Sequence, residues 1–227
     1  MWVVDYGTTW IKYHHLDKNK TFQFISPPNP KLFLFLTEKL LKREGFKKNE
    51  ALVIGFPGHI KKGKVLSAPE LDEKTWLSYN LDKNLRKIGV RPHLLTHSDL
   101  HGYLVVQRAG RELVLSVGDQ LGSSLFVDGV LWPGTELGEL TFSKGKTYND
   151  VLSERAIRKF GKKTWIKNMK MALQQLDDSL NPDRIFITGD SGSLLVGFRF
   201  PTRVIIASSP ESLENLAHVL KQQDRKR

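Results

Sequence analysis

Residues 113–140 read LVLSVGDQLGSSLFVDGVLWPGTELGEL, and this stretch predicts how the chain is organised. Two apolar runs, residues 113–115 and 125–127, are separated by a polar turn that follows Gly118, and Asp128-Gly129 begins the next turn. Short β-prone runs separated by Gly and Asp predict three strands joined by two turns. Because a glycine turn beside a strand end leaves backbone N–H groups for an anion, the turn at Gly118 is a candidate phosphate loop.

The N-terminal residues repeat this pattern. Residues 2–4 are apolar, the turn DYGTT follows at residues 5–9, and residues 10–16 form a second β-prone run. The equivalent positions, each 111 residues apart, are Asp5 and Ser116, Gly7 and Gly118, and Asp17 and Asp128. A spacing kept at about half the chain length predicts two similar halves. The alternative is that two unrelated β-hairpins look alike, because hairpins are common.

The composition bounds the class of protein. A length of 227 residues with 40% hydrophobic residues allows one large packed domain or two domains of about 100 residues each. No segment approaches the roughly 18 consecutive apolar residues of a membrane span. The first residues, MWVVDYG, lack the charged region and cleavage site of a signal peptide. The absence of cysteine excludes disulfides and thiolate metal sites. We therefore expect a cytoplasmic protein with no structural zinc site and no membrane partner.

The formal net charge of +11 favours polyanionic partners such as nucleic acid or polyphosphate. The lysines look dispersed along the sequence, and we predict that no single helix carries a dense basic stripe. The small groups are Lys47-Lys48, Lys61-Lys62-Lys64, Lys144-Lys146 and Lys162-Lys163. Two explanations of the charge stay open: a solvated lysine-rich surface, as in thermophilic proteins, and a polyanion-binding role.

Outside the two hairpins, strands and helices alternate, which predicts an α/β protein. Apolar periodicity predicts helices at residues 31–44, 81–88, 100–107, 147–160, 165–176 and 211–222. Further apolar runs predict strands at residues 20–25, 51–56, 92–96, 184–189 and 204–206. Since each half opens with a glycine-bearing hairpin, we expect two domains, residues 1–108 and 109–227, with a cleft between them. The last helix is expected to be able to pack back on the first domain.

Seven segments, taken in order, resemble a known family. They are residues 5–12 (DYGTTWIK), 55–58 (GFPG), 63–65 (GKV), 67–76 (SAPELDEKTW), 98–99 (SD), 118–130 (GDQLGSSLFVDGV) and 135–138 (TELG). Together they resemble the ROK sugar kinases of the actin-like and hexokinase-like superfamily, and most of all the polyphosphate glucokinases among them. The resemblance covers nearly the whole chain.

The resemblance implies two ribonuclease H-like domains of the actin-like ATPase fold. It implies transfer of a phosphoryl group from ATP or polyphosphate to a sugar hydroxyl, with Mg²⁺. The implied phosphate and Mg²⁺ contacts come from Asp5, Gly7, Thr8, Thr9, Lys12, Gly118 and Gly122. The implied sugar contacts come from Pro57, Gly58, Glu70, Ser98, Glu136 and Glu139, and Gly189 marks a nucleotide-side turn. A homodimer is common in the family. Nucleic acid is not an expected partner, because the DNA-binding members carry an additional helix-turn-helix domain.

The chemistry of phosphoryl transfer needs the residue types found at these places. Phosphoryl transfer depends mostly on positioning and charge stabilisation, so glycine turns such as those at Gly7 and Gly118 suit the phosphates. Asp5 suits Mg²⁺, because hard cations prefer oxygen ligands. A sugar hydroxyl has a very high pKa, so a base must lie within hydrogen-bond reach, and Asp99 is the candidate. The alternative for Asp99 is a helix N-cap. The histidines at 14, 15, 97 and 101 lack a convergent carboxylate pattern and are not taken as metal ligands.

The sequence also departs from the family pattern. Ser98 stands where the family has Asn, and residues 138–141 read GELT where the family has Gly-His-x-Glu. The second phosphate loop reads GDQLG, and its Asp119 should repel polyphosphate unless a metal intervenes. The family's glycine-rich nucleotide turn and the start of its last helix are replaced by Gly189-Asp190-Ser191 and by ESLE at residues 211–214.

Three explanations of these departures remain open. The protein phosphorylates a different sugar or hydroxyl compound, or it uses polyphosphate, for which contacts to adenosine are not needed. The third is that it is a catalytically degenerate protein of the actin-like fold that binds a sugar or a polyanion without phosphoryl transfer.

Overall fold

The computed structural model describes residues 1–200 and 203–207. These residues form two compact units, with residues 1–100 in the first unit and the remaining described residues in the second. The predicted helix at residues 211–222, with the altered segment at its start, lies outside the described residues.

The first unit is built on a five-stranded sheet. Its elements are β1 (Trp2–Tyr6), β2 (Trp10–His15), β3 (Lys20–Ile25), α1 (Pro30–Arg43), β4 (Ala51–Phe56), β5 (His59–Lys61), β6 (Lys64–Ser67), α2 (Glu73–Trp76), α3 (Leu81–Lys87), β7 (Arg91–Thr96) and the start of α4 (His97–Val105). The sheet has the strand order β3-β2-β1-β4-β7. The β1–β2 and β2–β3 pairs are antiparallel, whereas β4 is parallel to both β1 and β7. The short strands β5 and β6 form a separate hairpin.

An aromatic cluster fills the core of the first unit. The rings of Tyr6, Phe33, Phe56 and Trp76 are fully buried, and their neighbouring centroids lie 4.9–6.0 Å apart. The buried polar ends of two of these rings are satisfied by backbone carbonyls, because the Tyr6 hydroxyl donates to Pro27 and Trp76 Nε1 donates to Pro28 at 2.9 Å. The cluster therefore anchors the loop between β3 and α1 to the sheet.

The second unit repeats the topology of the first. Its remaining elements are β8 (Arg111–Val117), β9 (Leu121–Val127), β10 (Val130–Trp132), β11 (Thr141–Ser143), β12 (Lys146–Thr147), α5 (Tyr148–Leu152), α6 (Glu154–Leu180), β13 (Arg184–Thr188) and β14 (Val204–Ile206). The sheet order is β10-β9-β8-β13-β14, with the same antiparallel and parallel pairs at the same places. The hypothesis of two similar halves is therefore confirmed, and so is the α/β fold class.

The two hairpins differ by one residue. In the first, Tyr6 pairs with Ile11, so the turn has four residues; in the second, Val117 pairs with Leu121, so the turn has three. The second return strand consequently begins at Leu121 and includes the predicted loop residue Gly122.

Three helix predictions need correction. Helix α4 begins at His97, three residues earlier than predicted. The predicted helix at residues 147–160 is broken at Ser153, whose extended φ/ψ angles end α5 and precede α6. A capping box of Thr147 and Asp150 starts the short helix α5. The helix predicted at residues 165–176 extends from the break at Gly161, where φ is 78° and ψ is 157°, to Leu180, so α6 consists of two helical segments on either side of this glycine.

The exposed cations of α6 are divided between its two helical segments. Between Glu154 and Lys170, α6 contains seven Lys and Arg residues, all of them exposed, with three before the break at Gly161 and four after it. Because the predicted helix began at Trp165, it left out Lys162 and Lys163, which belong to the same segment as Lys167 and Lys170. Among the described helices, none is long and apolar enough to cross a membrane.

Candidate active site

The carboxyl ends of three parallel strands bring the candidate residues of the first unit to one edge of the sheet. Asp5 lies near the end of β1 and pairs in register with Gly55 of β4. Pro57 and Gly58 follow β4 directly, and β7 leads into the helix that carries Asp99. In open α/β sheets, ligands bind outside the carboxyl ends of the strands, so this edge is where a ligand site is expected.

The carboxylate of Asp5 is held by a histidine. His97 Nε2 lies 2.8 Å from Asp5 Oδ1, and the two side chains are 38% and 25% exposed. The sequence showed no convergent pattern that pairs His97 with Asp5, but the sheet brings the two together, because β1 and β7 lie on either side of β4. His97 was therefore missed as a site residue. Its place directly after a buried strand and just before Ser98-Asp99 was the available signal.

Asp99 is buried, at 3% exposure, and is the third residue of α4. Its backbone N–H donates to Thr96 Oγ1 at 3.1 Å, so Thr96 caps the helix. The alternative explanation of Asp99 as the N-cap is therefore wrong. The third residue of a helix is a place where the helix dipole favours an acidic side chain.

The first candidate phosphate turn is tied to the β3–α1 loop. Gly7 N–H donates across the turn to the Trp10 carbonyl at 3.1 Å. Ser26 supports the turn twice: its hydroxyl donates to the Gly7 carbonyl at 2.6 Å and its N–H donates to the Thr9 carbonyl at 3.0 Å. The Gly7 amide is therefore already engaged within the turn.

Other donors of this turn face solvent. Thr8 and Thr9 are exposed, and within the described part of the chain their amides donate to no backbone carbonyl. Lys12 lies opposite Asp5 in the β1–β2 register and is half-buried. Two amides, two hydroxyls and one ammonium group are therefore available beside Asp5 for an anion.

The predicted sugar residues of the first unit are less tightly organised. A Cβ on Gly58 would lie 2.1 Å from the Ser67 carbonyl oxygen, so this glycine is required by the close approach of two backbones. Pro57 and Ser98 are half-buried, whereas Glu70 is exposed in the loop after β6. The structure places Pro57, Gly58 and Ser98 at the same sheet edge as Asp99. Glu70 lies apart from them in sequence, in the loop between β6 and α2.

In the second candidate phosphate turn, two arginines lie close to the negative charge of Asp119. Gly118 N–H donates to the Gln120 carbonyl at 3.1 Å, and the Gly118 carbonyl accepts from the first amide of α6 at 2.8 Å. As in the first turn, the glycine amide predicted for phosphate is engaged. Asp119 lies 3.2 Å from Arg158 and 3.8 Å from Arg155. The repulsion expected from Asp119 is therefore offset by two positive charges that the sequence analysis missed.

The turn that carries Glu136 and Glu139 is pinned to β9. Ser123 Oγ donates to the Thr135 carbonyl at 2.7 Å and accepts from Leu137 N–H at 3.0 Å. Asn149 accepts from Leu121 N–H at 2.6 Å and donates to Glu139 Oε1 at 2.7 Å. Glu136 is half-buried, whereas the exposed Glu139 already has a partner for its carboxylate.

Gly189 ends β13 in a conformation that favours glycine. Its φ is 91°, and a Cβ there would lie 2.2 Å from the Val117 carbonyl oxygen. The ends of β8 and β13 are also joined by a 2.8 Å hydrogen bond between Ser116 Oγ and Thr188 Oγ1. The predicted nucleotide-side turn therefore leaves the same sheet edge of the second unit as the turn at Gly118.

No protein-family model and no curated protein matches the sequence. Solved structures do match it. The inorganic polyphosphate/ATP-glucomannokinase from Arthrobacter sp. strain KM has a TM-score of 0.78 at 20% identity, over 98% of each chain. A ROK family glucokinase from Streptomyces griseus, in complex with glucose and AMPPNP, has a TM-score of 0.69 at 14% identity, over 100% of each chain.

The same fold also occurs in a regulator. A ROK family transcriptional regulator, a homologue of the E. coli MLC protein, has a TM-score of 0.68 at 12% identity over 99% of this chain and 69% of that chain. The chain therefore has the actin-like ATPase fold of the ROK family, as the resemblance implied.

Proposed function

We propose that the protein is a sugar kinase that transfers a phosphoryl group from ATP or polyphosphate to a sugar hydroxyl. The observation that carries the proposal is the buried carboxylate of Asp99, at the same sheet edge as the His97-supported carboxylate of Asp5. Fold alone does not decide function, so the argument rests on these two carboxylates. The full-length likeness to sugar kinases supports it.

The two carboxylates have different proposed roles. Asp99 accepts the proton of the attacking sugar hydroxyl, a role that requires a base within hydrogen-bond reach. Asp5 fits Mg²⁺, because it offers hard oxygen ligands and its partly exposed side chain can reach a hydrated ion. When bound, Mg²⁺ neutralises charge on the transferred phosphoryl group.

The remaining site residues are assigned by their place in the fold. Thr8, Thr9 and Lys12 contact phosphate in the first unit, with Gly7 shaping the turn. In the second unit Gly118 shapes the phosphate turn, Gly122 follows that turn in β9, and Gly189 shapes the nucleotide-side turn. The proposed sugar ligands are Pro57, Gly58, Glu70, Ser98, Glu136 and Glu139. Glu139 can serve only if it shares or releases its hydrogen bond from Asn149.

The test is a phosphorylation assay with the purified protein, several sugars, and either ATP with Mg²⁺ or polyphosphate with Mg²⁺. Asp99→Asn should lower kcat by about 10²–10⁴-fold, because a general base contributes about that much. Asp178→Asn is the matched control, since this exposed carboxylate lies on α6 and bonds only to Gln174 in the described part of the chain. No phosphorylation with either donor, or an Asp99→Asn variant as active as the control, overturns the proposal.

A second candidate is a protein that binds a sugar or polyanion without phosphoryl transfer. The observation in its favour is the sugar turn, where GELT replaces the family's pattern and Glu139 is engaged with Asn149. The fold also occurs in a transcriptional regulator. In this case a sugar binds equally to the wild type and to Asp99→Asn, and no sugar phosphate forms with either donor.

A further inference from the structure

Both helical segments of α6, before and after the break at Gly161, carry exposed basic residues. The inner face of α6 packs into the core through Trp165, Met169 and Leu173. The first 17 residues of α6 include one acidic residue, Glu154, and seven basic residues, all of which are exposed. These cations, here called the α6 cations, are Arg155, Arg158, Lys159, Lys162, Lys163, Lys167 and Lys170.

The α6 cations are arranged at helical spacing. Arg155, Arg158 and Lys159 occupy positions i, i+3 and i+4 before the break at Gly161. Lys163, Lys167 and Lys170 occupy positions i, i+4 and i+7 after it, which places them on one side of the helix over about 10 Å. None of the five lysines forms an ion pair with another described residue, so their charge is uncompensated.

The first of these cations lie at the second phosphate turn. Arg155 and Arg158 reach Asp119, and Glu154 N–H donates to the Gly118 carbonyl, so α6 begins where the turn ends. A linear polyanion whose end lies at this turn can meet the cations of the first segment, and a flexible chain can then continue past the break at Gly161 to the lysines of the second segment. Each contact releases counterions, which gives affinity that rises with the length of the bound chain.

We propose that the α6 cations bind the chain of a linear polyphosphate that extends from the turn at Gly118. This deepens the proposed function, on which it rests for the role of that turn, by naming long-chain polyphosphate as a donor. The positive charges of α6 repel one another in the free protein, and a polyanion relieves that repulsion.

The chemistry of the face favours polyphosphate over single-stranded nucleic acid. Proteins that bind single strands combine a basic groove with aromatic rings on which the bases stack. Here the ring of Phe160 is half-buried and lies under Lys146 at 4.9 Å and Lys159 at 5.3 Å, while Lys170 lies over Phe198 at 5.3 Å. Each of these two rings already has a lysine over its face, so a base would have to displace that lysine in order to stack.

The test compares two triple variants by equilibrium binding. Lys163→Gln, Lys167→Gln and Lys170→Gln removes three of the α6 cations, whereas Lys31→Gln, Lys39→Gln and Lys87→Gln removes three exposed lysines of the first unit. Both variants lose the same net charge, and glutamine keeps a good helix propensity. The probes are long-chain inorganic polyphosphate, tripolyphosphate and a single-stranded RNA, each titrated at several salt concentrations, and thermal unfolding confirms that both variants fold.

The expected result is that the wild type binds long-chain polyphosphate more tightly than tripolyphosphate. The α6 variant should lose about tenfold or more in affinity for the long chain. Its slope of log K against log salt should be shallower by about two, because three phosphate contacts are lost. Its affinity for tripolyphosphate and the behaviour of the control variant should not change.

Three results of the binding test overturn the proposal. They are equal binding of the long chain by the α6 variant and the wild type, equal weakening in both triple variants, and binding of RNA that is tighter than binding of polyphosphate and is lost in the α6 variant. The binding test needs neither sugar nor turnover. A protein without kinase activity therefore refutes the proposed function, but its polyphosphate binding can still be measured. Conversely, if the protein phosphorylates a sugar with ATP alone and its affinity for polyphosphate does not depend on the length of the polyphosphate, the proposed function stands and the α6 proposal is refuted.

Discussion

At the scale of single residues, Asp5 has a polar environment made by two elements. Its carboxylate meets His97, which lies 92 residues away in sequence, and it faces Lys12 across the β1–β2 ladder. His14 lies two residues beyond Lys12 on the same face of β2, where its Nδ1 is 2.9 Å from Thr21 Oγ1. Burial lowers the pKa of His14; the charge of Asp5 opposes this effect and that of Lys12 adds to it.

The lowered pKa of His14 predicts a dependence of stability on pH. As the pH falls through about 6.5, the unfolded chain takes up a proton at His14 before the folded chain does. Stability that is fully present above this pH is therefore lost as the pH falls toward the folded-state pKa. We expect urea unfolding of His14→Gln to lose less free energy between about pH 7.5 and pH 5 than the wild type does.

The hydrogen-bond partner of His14 provides the control. Thr21→Val removes that hydrogen bond without removing a titratable group, so it should lower the free energy of unfolding and keep the wild-type pH dependence. If His14→Gln and the wild type lose the same free energy over this pH range, the burial of His14 does not couple its protonation to folding.

At the scale of elements, the turn before β11 depends on a residue of α5. Asn149 bonds to Leu121 N–H at the start of β9 and to Glu139 in the turn, so one side chain joins three elements. This link explains why residues 135–139 hold their place although they contain only a short 3₁₀ turn. Asn149 is half-buried in α5, and nothing in its local sequence indicated the link.

We therefore expect the replacement of Asn149 to lower both the stability of the protein and its affinity for sugar. Asn149→Ala should lower the free energy of unfolding by about 1–3 kcal/mol, because Leu121 N–H loses its partner. If Glu136 and Glu139 bind the sugar as proposed, the variant should also bind sugar more weakly in calorimetric titration. Asn84→Ala is the control, since it removes a 2.8 Å side-chain bond to the Asn80 carbonyl of the first unit and should affect stability alone. Unchanged sugar affinity in Asn149→Ala would count against the role of this turn.

At the scale of the whole molecule, two units with one topology supply two phosphate turns and two sheet edges. The proposed function requires that both a sugar and a phosphoryl donor bind the folded chain. A ligand present at about 100 times its Kd adds about 2.7 kcal/mol to the free energy of unfolding.

This requirement predicts a thermal shift. For a chain of 227 residues, such a gain raises the Tm by about 5–10 °C. We expect one sugar of a panel to raise the Tm, and ATP with Mg²⁺ or polyphosphate with Mg²⁺ to raise it independently. Inorganic sulfate at equal ionic strength controls for general anion effects. A Tm that no sugar and no donor changes contradicts both the kinase and the sugar-binding alternative.

The sequence by itself determined the elements whose signal is local. The hairpins, the buried strands at Ala51–Phe56 and Arg184–Thr188, and the repeat of 111 residues follow from apolar periodicity and turn residues close together in the chain. Only the tertiary structure decided which side chains meet at the sheet edges. The Asp5–His97 pair depends on the strand order, and the Asp119–Arg158 pair depends on the start of α6 at the turn that follows β8. Such pairs leave no periodic trace in the sequence, because their geometry exists only once the sheets and helices have packed.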